Sequence, residues 1–309
     1  MRKYLASLLV ICMMFVNTGI GFAAAAEAPA SAIDRIAAVE MELYGMEQTG
    51  SLIERVSRVE FDMYNEAHSQ PILERVEALY KEVKGLPGSN NITFVMRLNA
   101  VEMVFMKGVA DKPAKVRLED VERAITGEVA NGGMAGRLNN LVSMSFPGGA
   151  IKVENVTLPQ NTLVKISIQK ALDSKETKAG EEVPFKAEDN IYVGDKLVIA
   201  KGSAGKAVVK KVVKSSGFGR DARIDLEFKY LLAVDGTHVK VELGDIAQKA
   251  TKEQLGAGAA GMAGLLLFGP LGAIGAIFVH GKELAVPVGA MLFTQVSANT
   301  EIGALVIPQ

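Results

Sequence analysis

The sequence predicts an α+β protein of two domains: an all-α helical repeat of six short helices, then an antiparallel β-barrel or sandwich carrying an apolar helical hairpin. Three observations lead there. An arginine-led hexapeptide recurs six times in the first half, the apolar period changes from 3.6 to 2 after Ser145, and the run from Leu255 to Val279 carries no charge.

The first segment, MRKYLASLLVICMMFVNTGIGFAAAAEAPA, places Arg2 and Lys3 before an apolar core and ends in small residues. Residues 1–26 therefore read as a secretory signal peptide. Cys12, the only cysteine, lies inside it and follows Ile11, which argues against a lipoprotein signal. A mature chain without cysteine excludes disulfides and thiolate metal sites, so its stability must come from ordinary cores.

Residues 27–147 hold the repeat. RIAAVE, RVSRVE, RVEALY, RLNAVE, RLEDVE and RLNNLV begin at Arg35, Arg55, Arg75, Arg97, Arg117 and Arg137, at spacings of 20, 20, 22, 20 and 20 residues. Apolar positions inside each unit step by three and four, as in Ile36, Val39 and Leu43, which makes one stripe per helix. Gly45, Asn65, Gly85, Gly108 and Gly127 follow the stripes as stop signals, and Pro71, Pro87 and Pro113 stand in the connections. One short stripe cannot bury itself, so the helices are expected to stack as a bundle or small solenoid. The repeated arginines could form a row that binds an acidic polymer. The cheaper reading pairs them with Glu40, Glu60, Glu102 or Glu122 of neighbouring helices, because five-residue spacing is poor for pairing within a helix.

Residues 151–309 follow the SFPGGA breaker. TLVKISIQ, KAVVKKVVK, ARIDLEFKYLLAV and THVKVEL alternate apolar and polar residues, with turn clusters between them, and LAVPVGA and MLFTQVS add two further strands. The lysines of KAVVKKVVK are explained most simply as edge-strand protection.

The stretch LPQNTLVKISIQKALDSKETKAGEEVPFKAEDNIYVGDKLVIAKGSAGKAVVKKV resembles the envelope β-barrel domain of TrbI-like conjugation and type IV secretion scaffolds, most strongly at LVIAKGS from Leu197 to Ser203. That resemblance implies a barrel with a helical hairpin reaching the outer membrane. The sequence departs from the family at Asn161 and Ala200, where glycine and proline are usual, and in lacking the family's anchor and proline-rich linker.

The charge-free stretch at 255–281 has glycines at Gly258, Gly261, Gly264, Gly269, Gly272 and Gly275, with Pro270 dividing it. Glycine costs about 1 kcal/mol against alanine in a soluble helix, whereas small residues favour close packing in lipid. The stretch resembles a glycine-zipper hairpin. A membrane-associating hairpin, a hairpin buried against the fold and a phosphate-binding loop are the three readings; the last lacks the Lys-Ser/Thr ending and strand-turn-helix context it requires.

Little points to catalysis. His68, His238 and His280 show no metal-ligand spacing, there is no nucleophile elbow, and Asp173, Glu181, Glu182, Glu188 and Asp189 read as solvated turns. A net charge of -1 argues against nucleic acid as a partner. The expectation is an exported, non-enzymatic protein of the periplasm or outer membrane. It would need no cofactor, bind an envelope partner or itself through the repeats, and associate with a membrane through residues 255–279. The alternative is a soluble periplasmic module that binds a small ligand or polymer and packs the hairpin internally.

Overall fold

The computed structural model describes residues 31–85, 91–215, 222–256, 276–278 and 285–308. Residues 1–30, which hold the expected signal peptide, Pro87, Arg220, His280 and all seven glycine-stretch positions from Gly258 to Gly275 lie outside the described residues.

Six helices open the fold: α1 (Ala32–Tyr44), α2 (Leu52–Tyr64), α3 (Ile72–Val83), α4 (Phe94–Phe105), α5 (Ala114–Thr126) and α6 (Met134–Ser145). Each matches one sequence repeat. Ser31, Ser51 and Thr93 cap helix starts by accepting backbone N–H bonds, and Ser51 and Glu54 complete a capping box. Gly45, Asn65 and Gly127 take the left-handed conformation that ends α1, α2 and α5. After α4 the left-handed residue is Lys107, one position before the expected Gly108. The helices close around one core: α1 touches α3 and α5, and α6 touches α2 and α4. Contacts reaching four helices along the chain make this a compact bundle, where a solenoid would join only near neighbours.

The β half has two main sheets. The first orders β1 (Lys152–Leu158), β14 (Thr300–Val306), β6 (Lys196–Ile199) and β5 (Ile191–Val193). The second runs β10 (Val241–Glu242), β13 (Met291–Val296), β2 (Leu163–Ile168), β4 (Glu182–Ala187), β7 (Ala204–Val213), β8 (Arg223–Leu232) and β11 (Ala276–Phe278). Its two sides meet nearly as a barrel. β9 (His238–Val239) pairs with β8, and two residues later β10 pairs with β13, so one short segment spans the seam. β3 (Leu172–Asp173) and β12 (Ala285–Val286) form a small ribbon, and α7 (Asp245–Gly256) packs on β13.

Sequence alternation finds most of these strands, with three differences. LAVPVGA yields only the two residues of β12 before the turn at Pro287 to Ala290. The first half of β7 lies between β4 and β8, so edge protection does not explain Lys206, which contacts Glu182; beyond Val208 no β4 residue pairs with β7, and Lys210 and Lys211 stand where it has β8 on one side only. Within the 255–281 stretch, Ala276–Phe278 is a strand opposite Asp225, Ile224 and Arg223, which corrects the helical reading at those positions. A hydrogen-bonding edge of β8 was open there, and the alanine, isoleucine and phenylalanine of AIF suit a strand at least as well as a helix.

The two halves touch. Leu197 and Ala200 lie in the core of the helical bundle, whereas Val198 and Ile199 between them lie in that of the barrel. On β14, Leu305 faces the helices, while Ile302 and Ala304 face the barrel. The four-stranded sheet is therefore a middle layer with apolar residues on both faces.

Candidate functional site

The repeated arginines are internal clamps. Arg55 bonds Glu40, Arg75 bonds Glu60, Arg97 bonds Glu82, Arg117 bonds Glu102 and Arg137 bonds Glu122. The separation is fifteen residues in every case. Nε and Nη2 reach the carboxylate at 2.9 Å and 2.5 Å in the Arg137 pair, the parallel-fork geometry that guanidinium favours. The same carboxylates also hold the following loops: Glu40 accepts the Gln48 N–H, Glu60 that of His68 and Glu102 that of Ala110, each eight residues on. One glutamate thus fixes the end of its own helix, the next loop and the start of the next helix. Burial raises the Glu60 carboxyl, but the Arg75 and His68 bonds and charges outweigh it and leave the group below the usual glutamate range.

Two members depart from the rule. The first arginine has no earlier repeat, and Arg35 pairs instead with Glu77 on α3. In the third unit Tyr80 stands where the first, second, fourth and fifth have glutamate, and the longer 22-residue spacing brings Glu82 into place. Sequence reading missed Glu82 because the register of the motif, rather than the fifteen-residue offset to the next arginine, was followed.

With the repeat charges turned inward, several large apolar side chains stand exposed on the first three helices. Ile33, Ile53 and Leu73 sit two residues before the repeat arginine and are each about 60% exposed, at 58%, 61% and 64%. Met41 and Phe61, six residues after it, are also exposed. The matching positions of α5 and α6 are Lys115, Arg123, Ala135 and Ser143. This periodic signal was available in the sequence but was masked by the stronger buried stripe.

Two concavities accompany these surfaces. A cavity of about 140 Å³ lies between the halves, with Lys84, Asn99, Arg117, Ser203 and Asp235 in its wall. Several of its charges are paired: Lys84 with Glu42, Arg117 with Glu102, and the Asp235 carboxylate accepts the N–H groups of Thr237 and Gly303. Beneath it the Val109 N–H donates to the Lys201 carbonyl at 2.8 Å and Asn99 Nδ2 donates to the Val234 carbonyl at 2.9 Å. Gly202 permits this approach: its φ is +89°, and a Cβ there would stand 1.9 Å from the Val109 carbonyl oxygen. A shallower depression of about 490 Å³ lies beside β3 and β12, bounded by Leu172, Val286 and Pro287 with Lys170 and Glu181 at its margin.

The titratable groups do not assemble into a reacting centre among the described residues. His238 stacks on Tyr230 at 3.9 Å, and burial with the nearby Lys84 charge lowers its pKa. His68 packs edge-on to Tyr64. Glu181, Glu182, Glu188 and Asp189 are distributed over separate strand ends, with Glu181 bound to Lys170 and Glu188 to Ser167. No group of three His, Cys, Asp or Glu side chains among the described residues is placed to hold a metal ion.

Fold and surfaces together define a class: a helical-repeat bundle docked through a shared sheet on a barrel-like β domain. No protein-family model matches the chain, and no curated protein is significantly similar to it.

Proposed function

We propose that this chain is an exported cell-envelope scaffold without enzymatic activity, in which the helical bundle binds a partner or a second copy and the glycine-rich stretch associates with a membrane. The observation that carries this reading is the apolar face of α1 to α3. Exposed side chains recur at Ile33, Ile53 and Leu73 and at Met41 and Phe61, while the repeated ion pairs are spent inside the bundle. Large apolar side chains exposed in register are a feature of surfaces that bind. The barrel adds the second support, since it is interrupted by a run whose sequence is free of charge from Leu255 to Val279. No helix among the described residues is long and apolar enough to cross a membrane.

The test is alkaline carbonate extraction of membranes from cells making the full chain or a variant lacking residues 257–275, which leaves α7 and β11 intact. Retention of the full chain with release of the deletion supports the scaffold. If both are released, membrane association is wrong. A second reading, a soluble module that binds a small ligand or polymer, draws on β11, where part of the same run joins the sheet. A ligand-dependent melting shift of the full chain would favour it.

A further inference from the structure

The strand registers divide the barrel into two ends. At one end lie the turn from Ala200 to Ser203, which meets Val109, and the turn after β8, where the Val234 carbonyl meets Asn99. β7 starts and β8 finishes at this end, with Gly205 opposite Leu231, and the helical bundle covers it through the four-stranded sheet. At the other end β7 finishes and β8 starts, with Val213 opposite Arg223. Ten residues of β8 at about 3.3 Å each separate the two ends by roughly 30 Å along the strand.

The chain leaves and returns at this second end. Thr251 of α7 accepts the Phe293 N–H and Ala247 N–H donates to Gln295, so α7 runs down β13 toward Met291 and finishes at Gly256. The chain re-enters the sheet at Ala276–Phe278 against the first residues of β8, and then at Ala285 beside Asp173. The rim between these points is apolar where it faces water: Val288 is 60% exposed, Met291 is 40% exposed, and Ala285 and Pro287 border the 490 Å³ depression. Lys178, Lys210, Lys211 and Lys214 stand exposed nearby, together with Glu176 and Glu182, and Asp173 and Glu181 also border the depression.

We propose that this rim, formed by Ala285 to Met291 and the β7–β8 end, is the face of the folded protein that meets a lipid bilayer, with the helical bundle held on the opposite side. The proposal rests on the membrane reading above and extends it from the glycine-rich run to the folded barrel. One feature selects lipid as the occupant: among the described residues, both connections to the charge-free run lie on this rim, beside its exposed Val288 and Met291, and the mixed charges around that patch can stay at the level of the headgroups. The arrangement leaves the apolar face of α1 to α3 away from the bilayer, free for a protein partner.

Single cysteines at Val288, Met291, Met41 and Phe61, in the full chain carrying Cys12→Ser, would be labelled with an environment-sensitive fluorophore. Vesicles of phosphatidylcholine and phosphatidylglycerol are then added. The expected result is a blue shift and at least a twofold intensity rise for Val288→Cys and Met291→Cys, with Met41→Cys and Phe61→Cys unchanged. A response at the bundle positions overturns the proposal. Vesicle binding without any rim response also overturns it but leaves the membrane reading standing, whereas absence of vesicle binding removes both. A rim response that needs only higher protein concentration assigns the rim to a second copy instead.

Discussion

The helical half and the barrel half solve the problem of buried polar groups in different ways. The bundle repeats one device five times, an arginine fork on a glutamate fifteen residues earlier. The barrel uses single, unrelated contacts. Gln295 accepts the Ala247 N–H and donates to Asn161, Thr251 accepts the Phe293 N–H, and Gln248 donates to the Leu243 carbonyl. The repeated device is local in sequence and charged, while these four barrel contacts are neutral and one of them spans 134 residues. A duplicated unit can copy its clamp with itself, but a closed sheet must fit each contact to one place.

That contrast can be broken most forcefully at a clamp. Removing one partner of a buried ion pair leaves the other charge unpaired, a cost of about 3–5 kcal/mol. Glu40→Ala and Glu102→Ala are expected to lose stability by similar amounts in urea denaturation, because they occupy equivalent positions. Very unequal losses would show that the copies do not act alike.

The junction of the two halves comes next. Gly202→Ala places a Cβ against the Val109 carbonyl in a backbone conformation that alanine disfavours, and is expected to cost more than about 1 kcal/mol. Hydrogen exchange should show faster exchange at the Val109 N–H, which bonds Lys201, while protection within the barrel interior is retained. Loss of protection throughout would mean the halves cannot be separated energetically.

A smaller effect is expected at the helix starts. Ser51→Ala removes the capping box of α2 and should cost about 1 kcal/mol in thermal unfolding. The mildest test is acid. The folded-state Glu60 carboxyl lies below its ordinary value, so its contribution is present above the unfolded glutamate value of about 4.3 and is lost as pH falls through the folded value. The stability difference between the wild type and Glu60→Gln should therefore shrink as the pH is lowered below about 4.3.

Much of the helical half was legible because self-similarity survives without knowledge of contacts: six arginine-led motifs gave six helices. Inter-helix pairing was also accessible, since five-residue spacing fails within a helix. The partner of each arginine required the offset between units, which is why Glu82 escaped attention. In the barrel, alternation located β2, β7, β8 and β13, but it carries no information about which strands pair. The closure through His238 to Glu242 depends on Leu231 opposite Val239 and Val241 opposite Val296, separations that no local pattern encodes. β1 and β14 were missed for a related reason. β14 buries residues on both faces between two cores, and its partner β1 is mostly exposed, so neither shows clean alternation.

The repeated charges hold the bundle together from inside. A double-mutant cycle on Glu102→Ala and Arg117→Ala, read by urea denaturation, puts this to the test. Both single variants should be costly, with a coupling energy between about 0.5 and 3 kcal/mol, the range for residues in one network. Cheap single variants with additive effects would contradict it and return the arginine row to the surface as a site for acidic partners.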